Sequence, residues 1–216
     1  VLILPSGRYQ DGLGKAGADN IKQWVEAGGV LITLGSATRF AADADIALLD
    51  VKRELAVKVE EAKDKPDSES STVAGKVYAN RQALVKDSEN VEESPDFVAG
   101  ILANVEVDQE HWLTAGVAPD VVAMVYGNDI YTPIRLASGK NLAWFADEKN
   151  VLASGFLWQE NKQQLAYKPF LIHQPRGNGM VIGFTQEPTT RAYLDGLNVM
   201  LLNSIFSASA HAHVAK

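Results

Sequence analysis

Two short runs, Val1–Leu4 and Val30–Leu34, apolar but for Thr33, bracket a helical pattern. Uninterrupted apolar strands are buried on both faces, the mark of parallel strands covered by helices. Between them, Ala18–Ala27 carries Ile21, Trp24 and Val25 at i, i+3 and i+4, which makes one apolar helical face. Asp19 or Asn20 suits its start, and Gly28 suits its end. After the second run Ser36 stands where a helix would begin, and Phe40, Ala44 and Leu48 are spaced to face inward. Strand, helix, strand, helix at this spacing predicts a βαβ unit, and so an α/β fold with a parallel sheet.

The pattern then breaks. Leu55–Val59 alternates like a short strand, and Glu60–Pro95 is rich in charge, with "EAKDKPDSESS" and "DSENVEESP" lacking any apolar period. Residues 60–95 read as a polar, partly mobile insertion, with a helix over Val77–Lys86, inside one domain spanning 1–216. The second half is richer in strands. Ile101, Ala103, Val105 and Val107 alternate, and Val121–Tyr126, Ile134–Leu136, Leu142–Phe145 and Val151–Ala153 read as further strands. Leu171–His173 and Met180–Phe184 flank "QPRGNG", a hairpin turn. A long helix from about Thr190 closes the chain, with Leu194, Leu197, Leu201 and Ile205 as its buried stripe.

Composition excludes some functions. The net charge of -7 argues against a phosphate-backbone partner, so no nucleic acid is expected. No apolar run is long enough to span a bilayer. Cysteine is absent, which removes disulfides, thiolate metal sites and cysteine nucleophiles together. The chain opens inside a strand, with no initiator methionine and no signal peptide, and reads as a piece of a longer polypeptide.

The corner "VLITLGSAT" has the outline of a nucleophile elbow, a sharp strand-to-helix turn that lifts a reactive side chain over the sheet. The esterase form G-x-S-x-G fails, because Leu34 and Thr38 occupy its glycine positions. An amidotransferase would need cysteine directly after the strand, where Leu34 and Gly35 stand. Ser36 is the nearest hydroxyl. It reads as a helix N-cap, against a nucleophile or an anion-binding group.

Four histidines are present, and none belongs to an H-x-x-E, H-E-x-x-H or H-x-x-x-H motif. His111 lies in a loop after a strand, His173 in "LIHQPRG", and His211 and His213 in the tail; no metal ligand set is expected. Gly177 and Gly179 read as turn glycines. Arg191 sits at the start of the last helix, where a cation opposes the macrodipole, so it should have a partner: a carboxylate or a bound anion. Ser36, Arg191 and His111 are the candidate ligand-binding residues, and Ser36 is the only catalytic candidate.

Several stretches, in order, resemble one family: "VLILPSG", "WVEAGGVLITLGSA", "VEVDQEHWLTAG", "NLAWFADEKNVLASGFLW" and "GNGMVIGFTQEPTTRAYLDGLNVMLLNSIF". They are similar to the class I glutamine amidotransferase-like domain that follows the catalytic domain in large bacterial zinc carboxypeptidases of the carboxypeptidase A type. The element Asp108, His111, Leu113, Gly116 and the stretch through Pro188 and Arg191 carry most of the specificity. The resemblance implies a flavodoxin-like three-layer α/β/α sandwich, mostly parallel, with extra strands in the second half. It implies an exported parent protein, periplasmic or secreted, that holds zinc through an H-x-x-E pair and a distant histidine. None of those ligands is in this sequence. The expectation is therefore a non-catalytic accessory domain whose partner is the parent's carboxypeptidase domain. It has no cofactor of its own and a sheet edge through which copies could associate. A small-ligand, glycan or anion-binding module and a weak serine hydrolase using Ser36 are the alternatives.

Overall fold

A computed structural model describes residues 1–57, 80–81, 94–192 and 194–212. Among the described residues eight strands form one sheet: β1 (Leu2–Leu4), β2 (Val30–Leu34), β3 (Val98–Val107), β4 (Asp120–Gly127), β5 (Lys140–Phe145), β6 (Leu152–Ser154), β7 (Pro169–Arg176) and β8 (Gly179–Phe184). The order across the sheet is β1-β2-β8-β7-β5-β3-β4, with β6 paired beside β3. The helices are α1 (Gln10–Glu26), α2 (Thr38–Ala42), α3 (Gln159–Leu165), α4 (Asp195–Phe206) and α5 (Ala208–His211).

The fold is mixed α/β. The opening β1-α1-β2 unit is parallel as the apolar runs predict, with Leu2 opposite Leu31, and β2 continues in parallel onto β8. Every other described pairing is antiparallel, so the sheet is mixed rather than mostly parallel. The reason lies in the short connections of the second half. Turns as tight as Gly177-Asn178 between β7 and β8 return a strand alongside its predecessor, whereas a parallel neighbour needs a long crossover.

The alternating apolar pattern decides which face each side chain meets. Leu31, Val181 and Ile172 point to a core shared with Val25 of α1 and Phe40 of α2. Val30, Ile32, Met180, Ile182 and Phe184 point the other way, to a core that includes Leu197 and Met200 of α4. β2 and β8 are buried along their whole length, as strands covered on both faces must be.

Several local expectations shift. α1 begins at Gln10 rather than Ala18, and Gly14 interrupts it with φ 57° and ψ -171°. Trp24 is more than a third exposed and lies over Gly29 rather than facing inward with Val25. α2 stops at Ala42, because Asp43 turns extended and its carboxylate accepts from the Asp45 backbone N–H at 2.9 Å. Leu48 is buried, but Ala44 is exposed. Residues 55–57 form no strand. Ile134–Leu136 is irregular, because the Asn141 side chain bonds both the N–H and the carbonyl of Ile134, each at 3.0 Å, in place of a strand. Leu136 is 90% exposed. The final helix starts at Asp195, not Thr190. The insertion over 60–95 and its helix lie almost wholly outside the described residues.

One departure from a flat sheet shapes the site. β3 pairs with β5 only through Val105, Glu106 and Val107. Its earlier residues therefore run past Phe145, the end of β5, carrying the matching part of β4 with them. This overhang rises on the side where β2 and β8 end. It closes over that edge through Gln186, whose side chain accepts from the Tyr126 N–H at 3.2 Å and donates to the Asp129 carbonyl at 3.3 Å.

Candidate functional site

In open α/β sheets, ligands bind beyond the carboxyl ends of parallel strands. Here that edge is formed by the residues after β1, β2 and β8. The Ser6 hydroxyl shares its one proton between the Leu34 carbonyl at 3.2 Å and Glu187 Oε2 at 2.9 Å, so it ties all three strand ends together. Glu187 also accepts from the Thr189 N–H at 3.1 Å and from Thr189 Oγ1 at 2.5 Å.

The corner after β2 has the elbow outline with its reactive position empty. The left-handed residue is Gly35, with φ 52°, so the most strained point of the turn bears no side chain. A Cβ there would collide with Ser6 Oγ. Ser36 follows inside a short 3-10 turn over Gly35–Ala37. It caps nothing: the position before the turn is Leu34, the position before α2 is Ala37, and neither makes a side-chain cap. The N-cap expectation for Ser36 is thus corrected. Among the described residues its hydroxyl has no hydrogen-bond partner. The hydroxyl that does stitch this corner is that of Thr38, which is buried, lies 3.1 Å from Thr33 Oγ1 and donates to the Phe184 carbonyl at 2.8 Å.

Among the described residues no hydrogen bond joins a histidine to Ser36. His173 is two strands across and level with Ile32. At about 3.3 Å per residue and 4.8 Å per strand, that is well beyond hydrogen-bond reach. His111 joins His173, with ring centres 5.1 Å apart.

Sequence reasoning missed this grouping. His111, His173 and His211 gather around Trp112, on which the His211 ring stacks at 4.3 Å. Only the tertiary fold brings them together, so no spacing in the chain could have shown it. His173 is buried, and among the described residues its Nε2 has no partner. Burial first, then His111, Lys140 and His211, push its pKa down to about 4. His111 is lowered too, mainly by burial and by Lys140, against the opposing pull of Asp108. His111 Nδ1 accepts from the Leu113 N–H at 3.2 Å and caps the turn over Trp112–Thr114, which is a structural role. His213 lies outside the described residues. Among the described residues no group of three or more His, Cys, Asp or Glu side chains could hold a metal ion.

Arg191 also departs from expectation. It is exposed, adopts φ 48° and makes no ion pair among the described residues. The arginines at the carboxyl edge that do have a carboxylate partner are Arg39 and Arg53. Arg39 Nε lies 2.5 Å from Asp129 Oδ2, and Arg53 Nε lies 2.8 Å from Oδ1. Asp129 is buried, whereas both arginine side chains are about two-fifths exposed. Tyr131 beside them is buried with an unpartnered hydroxyl. Burial and the Asp129 charge push that hydroxyl's pKa far up.

No family model matches the chain, and no curated protein matches it. Solved structures to which the chain is similar include the following two. A ThuA-like protein from Parabacteroides merdae superposes with a TM-score of 0.55 at 13% identity, over 99% of this chain and 72% of that one. A β-galactosidase from Bacillus circulans sp. alkalophilus gives a TM-score of 0.43 at 11% identity, and the chain spans 22% of its length. The first likeness is one of fold alone, and the second is too loose to carry an argument.

Proposed function

We propose that this chain is a non-catalytic accessory domain of the class I glutamine amidotransferase-like type, with the three-layer flavodoxin-like arrangement, attached to an exported zinc carboxypeptidase domain. The observation that carries the non-catalytic reading is the corner after β2: Gly35 takes the strained position, and among the described residues Ser36 is hydrogen-bonded to no base. A hydroxyl without a general base is a weak nucleophile. The helices over both faces of β2 and β8 support the layered arrangement. The attachment to a zinc enzyme rests on the sequence resemblance. Its D-x-x-H element falls on a structural joint: Asp108 accepts from the Glu110 N–H, His111 caps a turn, and Leu113 is fully buried.

The test divides the longer protein in two. Zinc-dependent carboxypeptidase activity should stay with the part upstream of Val1, and the isolated chain should cleave no peptide and take no fluorophosphonate label. Labelling that disappears in Ser36→Ala would overturn the non-catalytic reading. An upstream sequence without an H-x-x-E pair and a distant histidine would overturn the carboxypeptidase assignment.

A further inference from the structure

We propose that Arg39 and Arg53 form an oxyanion site at the carboxyl edge of the parallel strands, suited to a carboxylate or a phosphate monoester. The inference is independent of the accessory-domain reading.

The charge balance is the starting point. Two guanidinium groups meet one carboxylate, Asp129, so the group keeps one surplus positive charge in a chain whose net charge is -7. The geometry says which atoms remain free. Each arginine turns its Nε to Asp129, and Arg53 does so as an ion pair without hydrogen-bond alignment. A guanidinium has five N–H donors in a planar fork. Among the described residues, the terminal nitrogens of Arg39 and Arg53 have no protein acceptor. Both side chains are about two-fifths exposed, so the pair is open to solvent. Paired forks of this kind match the two oxygens of a carboxylate or phosphate.

The anchor is rigid. Asp129 is fixed by burial, and its carbonyl accepts from Gln186, the residue that ties the β3–β4 overhang to the end of β8. Arg53 is held by its backbone, which bridges Tyr131. The Tyr131 hydroxyl, buried beside this group and unpartnered, is a polar atom that the protein itself leaves unsatisfied.

Ser36 adds a neutral donor. After the left-handed Gly35, the 3-10 turn through Ala37 runs on into the helix at Thr38, so Ser36 and Arg39 are three positions apart on one run and share a face. The Ser36 hydroxyl is unbonded among the described residues. Glu187, a carboxylate on the same edge, is already held by Ser6 and Thr189.

Arginine Nε–Hε resonances of the 15N-labelled chain read the site directly. Inorganic phosphate and, separately, acetate are titrated at constant ionic strength set with sodium chloride. The expected result is a saturable shift of the Arg39 and Arg53 signals with one or both anions, and an unmoved Arg191 signal. Arg53→Gln should weaken binding about tenfold, in line with the loss of a charge-assisted contact. Arg53→Lys, which keeps the charge and loses the fork, should fall between. Arg191→Gln should bind as the parent chain does. Shifts that stay linear with both anions would overturn the proposal, and so would an Arg53→Gln variant that folds and binds with unchanged affinity. Saturation by phosphate alone assigns a phosphate monoester, and saturation by acetate alone assigns a carboxylate.

Discussion

The imidazole of His211 lies flat on the indole of Trp112, with ring centres 4.3 Å apart and planes 11° from parallel. It fastens α5 to the turn after β3. Asn203 of α4 strengthens the same joint by donating to the carbonyls of Leu113 and Ala115, at 3.1 and 2.9 Å. His211→Ala should therefore loosen the end of the chain and lower stability by about 1 kcal/mol, the size of an aromatic pair. Urea unfolding of the two proteins checks this, and an unchanged midpoint would mean the stack contributes nothing.

Acid should destabilise the fold through His173. Its folded pKa is about 4, below the ordinary histidine value of 6.5. Between those values the unfolded chain binds a proton that the folded chain refuses, so stability rises with pH in that window. The contribution is complete above about pH 6.5 and is lost as pH falls toward 4, amounting to about 3 kcal/mol at the low end. His111 shifts in the same direction and steepens the loss. In His173→Leu the decline between pH 6.5 and 4 should be markedly flatter in thermal melts. An equally steep decline would place the acid sensitivity elsewhere.

Gly35 cannot accept a side chain. Its φ of 52° is left-handed, and a Cβ would meet Ser6 Oγ. Gly35→Ala should lower stability by about 2–3 kcal/mol from strain and crowding together. Adding Ser6→Gly should recover the crowding part and leave the strain. A double variant no better than the single one would show that the clash is absorbed elsewhere.

Asp129 holds two cations in place. Asp129→Asn keeps the shape and removes the charge, leaving Arg39 and Arg53 to repel each other. Because both arginines are partly exposed, water takes up much of the loss, and the expected cost is about 1–3 kcal/mol. The cost should rise at low salt, where the repulsion is less screened. Melting curves at two ionic strengths measure it, and a salt-independent cost would argue against charge repulsion.

The sequence revealed the elements whose signal is local. Val30–Leu34 announces a doubly buried strand, and Ile101 to Val107 announces its alternating face. Pairing direction was harder. A short apolar run such as Leu171–His173 looks alike in parallel and antiparallel neighbours, so the balance between them emerged only with the register. Ser36 looked like a cap because serine is common at helix starts. The turn instead begins at Leu34, driven by the left-handed Gly35, and no side-chain statistic reports that. Arg191 was prominent through its place in the chain, whereas Arg39 and Arg53 gained significance only from Asp129, far from both in sequence. The histidine group was illegible for the same reason: its members come from β7, the turn after β3 and α5.

The pairing of β2 with β8 sets a timetable for the chain. Val30 finds its partner at Met180, so on one side β2 stays open until nearly the whole sequence has been made. The antiparallel strands between β3 and β8 join neighbours much closer in sequence and can assemble first. Loop closure of this length slows the last step. During synthesis the apolar β2 therefore waits on the emerging C-terminal half, and α4, later still, completes the cover of its far face.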